Sequence, residues 1–413
     1  DEEIDLSISQ TSYAFIESER SEPAKIRKVK GLTQKRWWGN DMGVVEKRAM
    51  SATHKSFRHR SLKYGGMQVK REHWLDVCKG YLIILVVMGH VVSAFQSAGI
   101  YVDNQFFSFV HSFAYSFHMA TFFFLSGYIY CHFENNGLTV GKKIIKRLVA
   151  YGIPYIIFSI IYCIMKLLLS SYTNSSVTYK DFVCIPVKPL GYLWFVYALM
   201  IMEIVQDLMS CVREKNKKSI KRDYCLICVA VILAIIQFYC SIKFGETFTD
   251  DIFSDFMRMW VYFLLGVFFG TTIVKYLFSL HRKTVLSLFV ILIGTNVLLL
   301  NNIVTKRWIM VFVMAILGIT ISVYFSKKLN SNRVLEFLGR MCFPIYLLHD
   351  YVLVLCRIIV LKSHMEYIWG VVFIGSSLLA LLLPIAFYIV MKNYLNLDIV
   401  FYPGKYFSTQ RRK

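Results

Sequence analysis

The stretch GYLIILVVMGHVVSAFQSA, residues 80–98, decides the fold class. It carries no acidic or basic residue apart from one histidine, and a helix needs about 20 predominantly apolar residues to cross a bilayer. Further apolar runs of similar length follow, and 56% of the 413 residues are hydrophobic. A soluble domain would lack the polar surface to cover these runs. The sequence therefore predicts an all-α fold, a polytopic transmembrane helical bundle.

About ten membrane spans are predicted. The second is the least regular of them, because it holds His118 and begins directly after His111. We place the ten spans at residues 80–98, 112–130, 148–170, 191–211, 224–242, 257–274, 284–300, 308–325, 341–361 and 367–391. One helical bundle then accounts for residues 71–395, which we treat as a single membrane domain.

The basic residues are concentrated in alternate connections between the spans. The even-numbered connections carry 17 Lys and Arg, and the odd-numbered connections carry 6. Because cytoplasmic loops are enriched in Lys and Arg, this alternation places the even-numbered connections and both termini in the cytoplasm. Orientation in the membrane thus accounts for the formal net charge of +21, and no nucleic-acid binding is expected.

The segments on either side of the membrane domain differ from it in composition. Residues 1–70 are polar and charged and lack a sustained hydrophobic period. Either residues 1–66 are a fragment of something upstream or translated non-coding sequence, or they form a genuine disordered tail. We expect residues 1–70 to be disordered and residues 396–413 to form a short basic cytoplasmic tail.

Small residues inside the spans are interpreted as packing residues. The ten cysteines occur mostly singly in apolar runs, whereas a zinc ribbon needs four ligands and a disulfide framework needs a small secreted domain. We expect reduced thiols and no metal site. Ser126-Gly127 and the pair Gly266 and Gly270 are expected to allow close approach of helices.

Two ionisable residues of the first span have a spacing that suits chemistry. His90 follows Lys79 by eleven residues, close to three helical turns, so both project from one helix face about 16 Å apart along the axis. Lys79 would lie at the cytoplasmic interface and His90 near mid-membrane. An extended acyl donor could then bind its phosphates at Lys79 and reach His90 with its reactive end. Alternatively, Lys79 is an orientation charge and His90 a packed polar residue.

These residues also carry a family resemblance. Lys79 to His90 resembles the Arg/Lys-x10-His signature of acyltransferase family 3, integral membrane O-acyltransferases that include sugar and polysaccharide O-acetylases. Three more blocks follow in the family's order. Residues 116–128 resemble its Phe-His-Met-Pro…Phe-Leu-Ser-Gly-Tyr block, residues 193–195 its Leu-Trp-Phe block, and residues 345–349 its Ile-Tyr-Leu-x-His block. The likeness covers residues 70–400.

The chain departs from the family pattern at two places. Ala120 stands where the family usually has Pro. The basic motif after the second span usually has two arginines three residues apart, and here residues 142–147 read Lys-Lys-Ile-Ile-Lys-Arg. The resemblance makes Lys79, Lys143, Lys146 and Arg147 the candidates for binding the donor's phosphates. Lysine offers a point charge where arginine offers a bidentate fork.

The resemblance implies transfer of an acyl group, usually acetyl, from coenzyme A to a carbohydrate hydroxyl. Acetyl-CoA or another acyl-CoA is then a donor substrate, and no permanently bound cofactor is expected. His90 is the expected base, and Glu203 is expected to orient it unless Glu203 pairs with another span. His118 is a second catalytic candidate, a hydrogen-bond donor or a structural residue. His349 and Trp194 are expected to contact the acceptor.

Other functions stay open from the sequence. A transporter or flippase of a glycolipid or polysaccharide would use the same intramembrane His and Glu as a proton relay, although no inverted repeat is visible. A membrane-bound lipid acyltransferase of another fold is a weaker alternative. The acceptor is a lipid-linked sugar, a surface polysaccharide or a small glycoside. Because the resemblance is to modifiers of surface polysaccharides, we expect the protein in a bacterial cytoplasmic (inner) membrane.

Overall fold

A computed structural model describes residues 62–64, 67–69, 72–100, 104–132, 138–169, 179–214, 220–244, 252–303 and 308–409. Nine helices within these ranges are long and apolar enough to cross a membrane. They overlap nine of the ten predicted spans, which confirms the all-α polytopic bundle. In chain order the helices are α1 His73–Gln96, α2 Gln105–Tyr115, α3 His118–His132, α4 Val140–Arg147, α5 Ile153–Leu168, α6 Tyr179–Cys184, α7 Trp194–Glu214, α8 Ile220–Phe244, α9 Ile252–Ser279, α10 Arg282–Leu300, α11 Trp308–Lys328, α12 Arg333–Arg340, α13 Cys342–Ser363, α14 Trp369–Asn393 and α15 Pro403–Thr409.

Short turns of other helical types connect several of these elements. A π-helical turn, Leu148–Gly152, joins α4 to α5, so that the predicted third span runs on continuously from the polar helix α4. Single turns of 3₁₀ helix precede α7 and α14 and follow α14, at Gly191–Leu193, Glu366–Ile368 and Asp398–Val400.

The second predicted span is not a single helix. Residues 112–130 fall on α2 and α3, which are joined by a turn at Ser116 and Phe117. Each helix is shorter than the roughly 20 residues that cross a bilayer. Counted together as one interrupted crossing, α2 and α3 keep the number of spans even. The cytoplasmic location of both termini stays a prediction.

Helix α1 lies at the centre of the bundle. It packs against α2, α3, α11, α12, α13 and α14, and most of its side chains are buried. By contrast, α8 and α10 bury few of their apolar side chains, as helices facing lipid do. The candidate base, His90, thus lies on a helix enclosed by six others.

Helices α3 and α9 cross with their backbones in contact. A Cβ atom added to Gly127 would lie 2.0 Å from the carbonyl oxygen of Phe263, and one added to Gly266 would lie 2.2 Å from the carbonyl oxygen of Phe124. Only glycine fits at such a crossing. This geometry confirms that these glycines serve close helix packing.

The start of α1 and the ends of α3, α9 and α11, which flank predicted cytoplasmic segments, lie together at one end of the bundle. Trp74, at the start of α1, packs against Tyr128 near the end of α3 and Phe278 at the end of α9, with ring centroids 5.5 and 5.3 Å apart. Lys327, at the end of α11, lies 4.4 Å from the ring centre of Phe278. These four residues mark the end of the bundle that carries the basic connections, and we call it the cationic end. Its composition agrees with the alternation of basic connections.

The N-terminal segment contains a short hairpin where disorder was expected. Strand β1 (Leu62–Tyr64) pairs with strand β2 (Met67–Val69) in antiparallel fashion, and Leu62 lies opposite Val69. Gly65 and Gly66 lie between the strands in the sequence, a pair typical of two-residue hairpins. The hairpin belongs to a unit separate from the membrane bundle. The remainder of the expected disordered segment lies outside the described residues.

The described part of the C-terminal tail, residues 396–409, is folded onto the bundle. Phe401 packs against Phe158 of α5, and Tyr402 packs against Phe343 of α13, with ring centroids 5.3 and 5.6 Å apart. Both side chains are buried, and burial of an aromatic side chain of this size stabilises a fold by about 1.5–3 kcal/mol. The segment through Thr409 is therefore anchored by aromatic packing.

Candidate functional site

Three aromatic rings surround His90 on α1. The centroid of its imidazole lies 5.0 Å from that of His349 on α13, 6.0 Å from Tyr115 at the end of α2, and 6.4 Å from Tyr192 in the turn before α7. His90 is half-buried. No hydrogen bond joins either of its ring nitrogens to another described residue. Such an imidazole is available to exchange a proton with a bound substrate.

The tautomer of His349 follows from its hydrogen bonds. Its Nδ1 lies 2.8 Å from the carbonyl oxygen of Tyr346 and 3.1 Å from that of Ile345. Carbonyl oxygens only accept, so Nδ1 carries the proton and Nε2 carries a lone pair. Nε2 is buried and has no hydrogen-bond partner within the described residues. His349 therefore presents an unused acceptor in the immediate surroundings of His90.

The break between α2 and α3 is stabilised by polar side chains. Nδ1 of His118 donates to the carbonyl oxygen of Ala114 at 2.5 Å, and the hydroxyl of Ser116 donates to Phe113 O at 2.7 Å. Backbone carbonyls freed inside a membrane need such internal partners. His118 is close enough to His90 to interact with it electrostatically. The role best supported for His118 is to hold this break beside His90.

The same break brings Tyr115 against α1. A Cβ atom added to Gly89 would lie 2.8 Å from the ring of Tyr115. The ring can approach the helix only because the residue before His90 has no side chain. The sequence did not single out Tyr115, since a tyrosine in an aromatic run gives no signal of its own.

Tyr192 ties the turn before α7 to α13. Its hydroxyl donates to Leu347 O at 2.7 Å, and the hydroxyl of Tyr346 donates back to Tyr192 O at 2.5 Å. Its ring centroid lies 5.0 Å from His349. These reciprocal bonds fix Tyr192 as a wall of the site, a role that the neighbouring Leu-Trp-Phe block did not reveal.

Two helix faces run from the His90 cluster towards the cationic end. On α1 the face carries Ile83 and Val86 below His90, at helical spacing. On α13 it carries Cys342 and Tyr346 below His349 by the same rule. A small apolar cavity of about 20 Å³ lies between them, lined by Ile83, Val86, Met119, Phe122, Phe195, Cys342, Phe343 and Tyr346.

Lys79 stands at the lower end of this cavity, and its ammonium group is held by a carboxylate. Its Nζ lies 2.8 Å from Oδ1 of Asp76, and Lys79 is only 1% exposed. Cys342, a residue of the cavity wall, lies within electrostatic range of Lys79. Lys79 and His90 thus lie on one face of α1, as their eleven-residue spacing predicts. Lys79, however, is a buried member of an ion pair and does not project into solvent.

Helix α12 clamps the start of α1 around this ion pair. A Cβ atom added to Gly80 would lie 1.9 Å from Leu335 O, and one added to Gly339 would lie 1.8 Å from Asp76 O. The two backbones are therefore in direct contact on either side of Asp76 and Lys79. This contact fixes the position of the ion pair relative to the helix that carries His90.

Glu203 does not orient His90, contrary to the sequence-based expectation. Its Oε2 lies 2.8 Å from Nη1 of Arg147, and Tyr151 donates to its Oε1 at 3.1 Å. Glu203 follows Tyr192 by eleven residues, so it lies about 16 Å farther along α7 than the His90 cluster. The alternative, a pairing with another span, is the one that the structure supports.

Arg147 is the centre of a buried network at the end of α4. Its Nε donates to Oδ2 of Asp207 at 3.0 Å, and Tyr130 donates to Oδ1 of the same carboxylate at 2.7 Å. Asp207 is fully buried. Lys143 and Lys146, which precede Arg147 by four positions and by one, are also buried on α4. Of the predicted phosphate-binding cations on α4, Arg147 is therefore held by two carboxylates of α7.

Trp194 lies outside the His90 cluster. Its ring centroid is 6.0 Å from Phe123, and the guanidinium of Arg258 lies 5.6 Å from its ring centre. It faces α3 and α9, whereas Tyr192 two residues earlier faces His90. The assignment of Trp194 to acceptor binding is therefore not supported by its position. Within the described ranges, no group of three His, Cys, Asp or Glu side chains is arranged to hold a metal ion.

Comparison with known proteins identifies the family. Neither the curated proteins nor the solved structures contain a match to the chain. A family model described as an acyltransferase domain matches residues 72–390, most of the chain. The chain belongs to acyltransferase family 3. It is a multi-pass membrane O-acyltransferase, and both Lys79 and the residues around His90 lie within the matched part of this acyltransferase.

Proposed function

We propose that the protein transfers an acyl group, acetyl in the simplest case, from a coenzyme A thioester to a hydroxyl of a carbohydrate. The observation that carries this proposal is the arrangement of His90. It has no hydrogen-bond partner among the described residues, it lies beside the unused Nε2 of His349, and an apolar cavity separates it from the cationic end.

In the proposed reaction His90 acts as the general base. It takes the proton of the acceptor hydroxyl, the alkoxide attacks the thioester carbonyl, and the coenzyme A sulfur leaves and takes the proton back from His90. A positioned histidine of this kind typically contributes ~10²–10⁴-fold. Attack through an acyl-His90 intermediate uses the same residues, and trapping of acylated enzyme without acceptor distinguishes the two routes.

His349 is proposed to position the acceptor. Its Nε2 can accept a hydrogen bond from a sugar hydroxyl that approaches His90, because Nδ1 already donates to Tyr346 O and Ile345 O. Tyr115 supplies a phenolic O–H next to His90 and is the proposed donor to the developing oxyanion. Tyr192 supplies an aromatic wall for the sugar ring.

The donor is proposed to bind from the cationic end. Lys79 lies below the cavity, and Lys143, Lys146 and Arg147 lie on α4 at the start of the third span. Their charges attract the phosphates of coenzyme A even where single side chains are already in ion pairs. The apolar walls of the cavity exclude water from the thioester, so that hydrolysis does not compete with transfer to the acceptor hydroxyl.

The second candidate function is transport of a glycolipid or polysaccharide. The buried ion pair of Lys79 and the network of Arg147 could serve a proton-coupled carrier as well. The carbohydrate, whether it is acylated or transported, is proposed to be a surface polysaccharide, a lipid-linked sugar or a small glycoside. The proposed location is a bacterial cytoplasmic membrane.

The experiment that tests this function uses the full chain, purified in detergent and given labelled acetyl-CoA with a panel of carbohydrate acceptors. Label should move to a carbohydrate with the wild-type protein and not with His90→Ala. His281→Ala is the matched control, since His281 is exposed and its side chain makes no cap bond at the start of α10. Donor-independent uptake of a sugar into proteoliposomes, without any acyl transfer, would favour the transporter instead.

A further inference from the structure

A second cluster of polar residues lies beyond His349, on the side away from the cationic end. Arg357 follows Cys342 by fifteen residues on α13, about 22 Å along the helix. Lys166 lies near the far end of α5, whose other end follows α4. The two cations are thus separated from Lys79 and Arg147 by the His90 cluster.

Aromatic rings connect this second cluster directly to the His90 cluster. The ring centroid of Tyr162 lies 5.6 Å from Tyr192, which is itself 5.0 Å from His349. The ammonium of Lys166 lies 4.8 Å from the ring centre of Tyr162. Both tyrosines are buried. A ligand resting against Tyr162 and Tyr192 would therefore reach from Lys166 to the proposed base.

Asp350 lies at the centre of the second cluster. It follows His349 directly, and its carboxylate lies within electrostatic range of the Tyr162 hydroxyl. It interacts electrostatically with both Lys166 and Arg357. Asp181 acts on Lys166 as well, but more weakly than Asp350 does. Two cations thus lie within electrostatic range of one carboxylate, next to the proposed site of acyl transfer.

The charged side chains of the second cluster are buried or half-buried inside a membrane bundle. Arg357 is only 4% exposed, and Lys166 and Asp350 are half-buried. Ionisable side chains at such positions are costly and usually face a substrate pathway. The carboxylate of Asp350 suits the hydroxyls of a sugar, and a guanidinium or ammonium suits a carboxylate or phosphate. The tyrosines suit the apolar face of a sugar ring.

We infer that Lys166, Arg357, Asp350 and Tyr162 form an acceptor subsite that selects carbohydrates bearing an anionic group, a carboxylate or a phosphate. This inference rests on the proposed function. Lys166 and Arg357 hold the anionic group, Asp350 and Tyr162 contact the sugar, and the reacting hydroxyl reaches His90 past Tyr192. The acceptor enters from the side opposite to the donor.

The test compares matched acceptors with the full-length protein. The kcat/KM for acetyl transfer is measured for methyl glucuronide and for methyl glucoside, which differ in one carboxylate. Glucose 1-phosphate and a lipid-linked sugar phosphate in detergent distinguish a soluble from a lipid-borne phosphate. The variants are Arg357→Gln, Lys166→Gln and the charge-preserving Arg357→Lys. Lys362→Gln is the control, because Lys362 is an exposed cation on the same helix.

The wild-type protein should prefer the anionic acceptor by ~10- to 100-fold, the range that one or two charge-assisted hydrogen bonds give. Arg357→Gln and Lys166→Gln should each lower this preference about tenfold or more. Arg357→Lys should keep most of it, and Lys362→Gln all of it. An equal rate with neutral and anionic acceptors would overturn the inference while leaving acyl transfer intact. No transfer to any acceptor would instead contradict the proposed function.

Two readouts keep the test decisive if Arg357→Gln does not fold. The wild-type preference is measured without any substitution, and Lys166→Gln alters a half-buried side chain whose loss leaves the α1–α13 packing untouched. A wild-type preference that Lys166→Gln does not change would assign the anionic group to another part of the protein and would also overturn the inference.

Discussion

Replacement of Gly127 by Ala tests the packing on which the bundle depends. The added Cβ would lie 2.0 Å from Phe263 O, whereas ordinary contact begins at 3.4 Å. The obstructing oxygen belongs to the backbone of α9 and cannot rotate away. The crossing of α3 and α9 would therefore have to open by about 1.4 Å, the difference between these distances. Overpacking of this kind costs about 1–3 kcal/mol.

Gly294→Ala is the matched control, because nothing lies within 4 Å of a Cβ added at Gly294 on the lipid-facing helix α10. Removal of a glycine from an unhindered helix stabilises it by about 0.5–1 kcal/mol. The two variants should therefore differ by at least ~1.5 kcal/mol in reversible unfolding by SDS in mixed micelles. Gly270→Ala should lie between them, since its Cβ would meet a movable side chain, Tyr128, at 2.9 Å. Equal stability of the three variants would refute the backbone contact.

Three further predictions concern buried charges and a helix cap. Lys79→Met should lower stability by about 3–5 kcal/mol because it removes the cation that lies 2.8 Å from the buried Asp76; the double variant with Asp76→Asn should regain stability but not acyl transfer. Arg147→Gln should abolish the yield of monodisperse protein, and added Glu203→Gln should restore part of it by removing one uncompensated carboxylate. Asn104→Ala should lower the free energy of unfolding by about 0.5–2 kcal/mol, since Asn104 caps the first turn of α2. A thermal shift assay measures this loss, and an unchanged melting temperature would contradict the cap.

The sequence predicted most spans well because their apolar runs are long, but it could not predict the break in the second. That break depends on hydrogen bonds from His118 and Ser116 to carbonyls of their own chain. In a sequence these side chains look like ordinary polar residues in an apolar run. The same aromatic composition that predicts a span conceals the turn that brings Tyr115 to His90.

The sequence predicts which site residues share one face of a single helix, but it does not predict which residues of different helices come into contact. The spacing of Lys79 and His90 follows from the geometry of one helix, and the structure keeps both on one face. The partner of Glu203 depends on how α4 and α7 pack, and the structure assigns Arg147 to it. His349 was expected to contact substrate, and the structure places its ring 5.0 Å from His90. Contacts between helices distant in sequence have no periodic signal in a single chain.

The ion pair of Asp76 and Lys79 illustrates the same limit within one helix. The two residues are three positions apart, a spacing that permits contact. What the sequence does not show is that α12 covers them, because glycines on both helices allow the backbones to touch. Lys79 therefore belongs to the interior of the bundle, although its position near the start of α1 predicts an exposed interfacial charge.

The most direct test of the account is the single-turnover rate of acetyl transfer by His90→Gln, measured at saturating acetyl-CoA and acceptor beside the wild-type protein. If His90 is the base, the rate should fall by ~10²–10⁴-fold while the variant keeps its fold and its affinity for the donor. A His90→Gln protein that transfers acetyl within a few-fold of the wild-type rate would contradict the central role of His90.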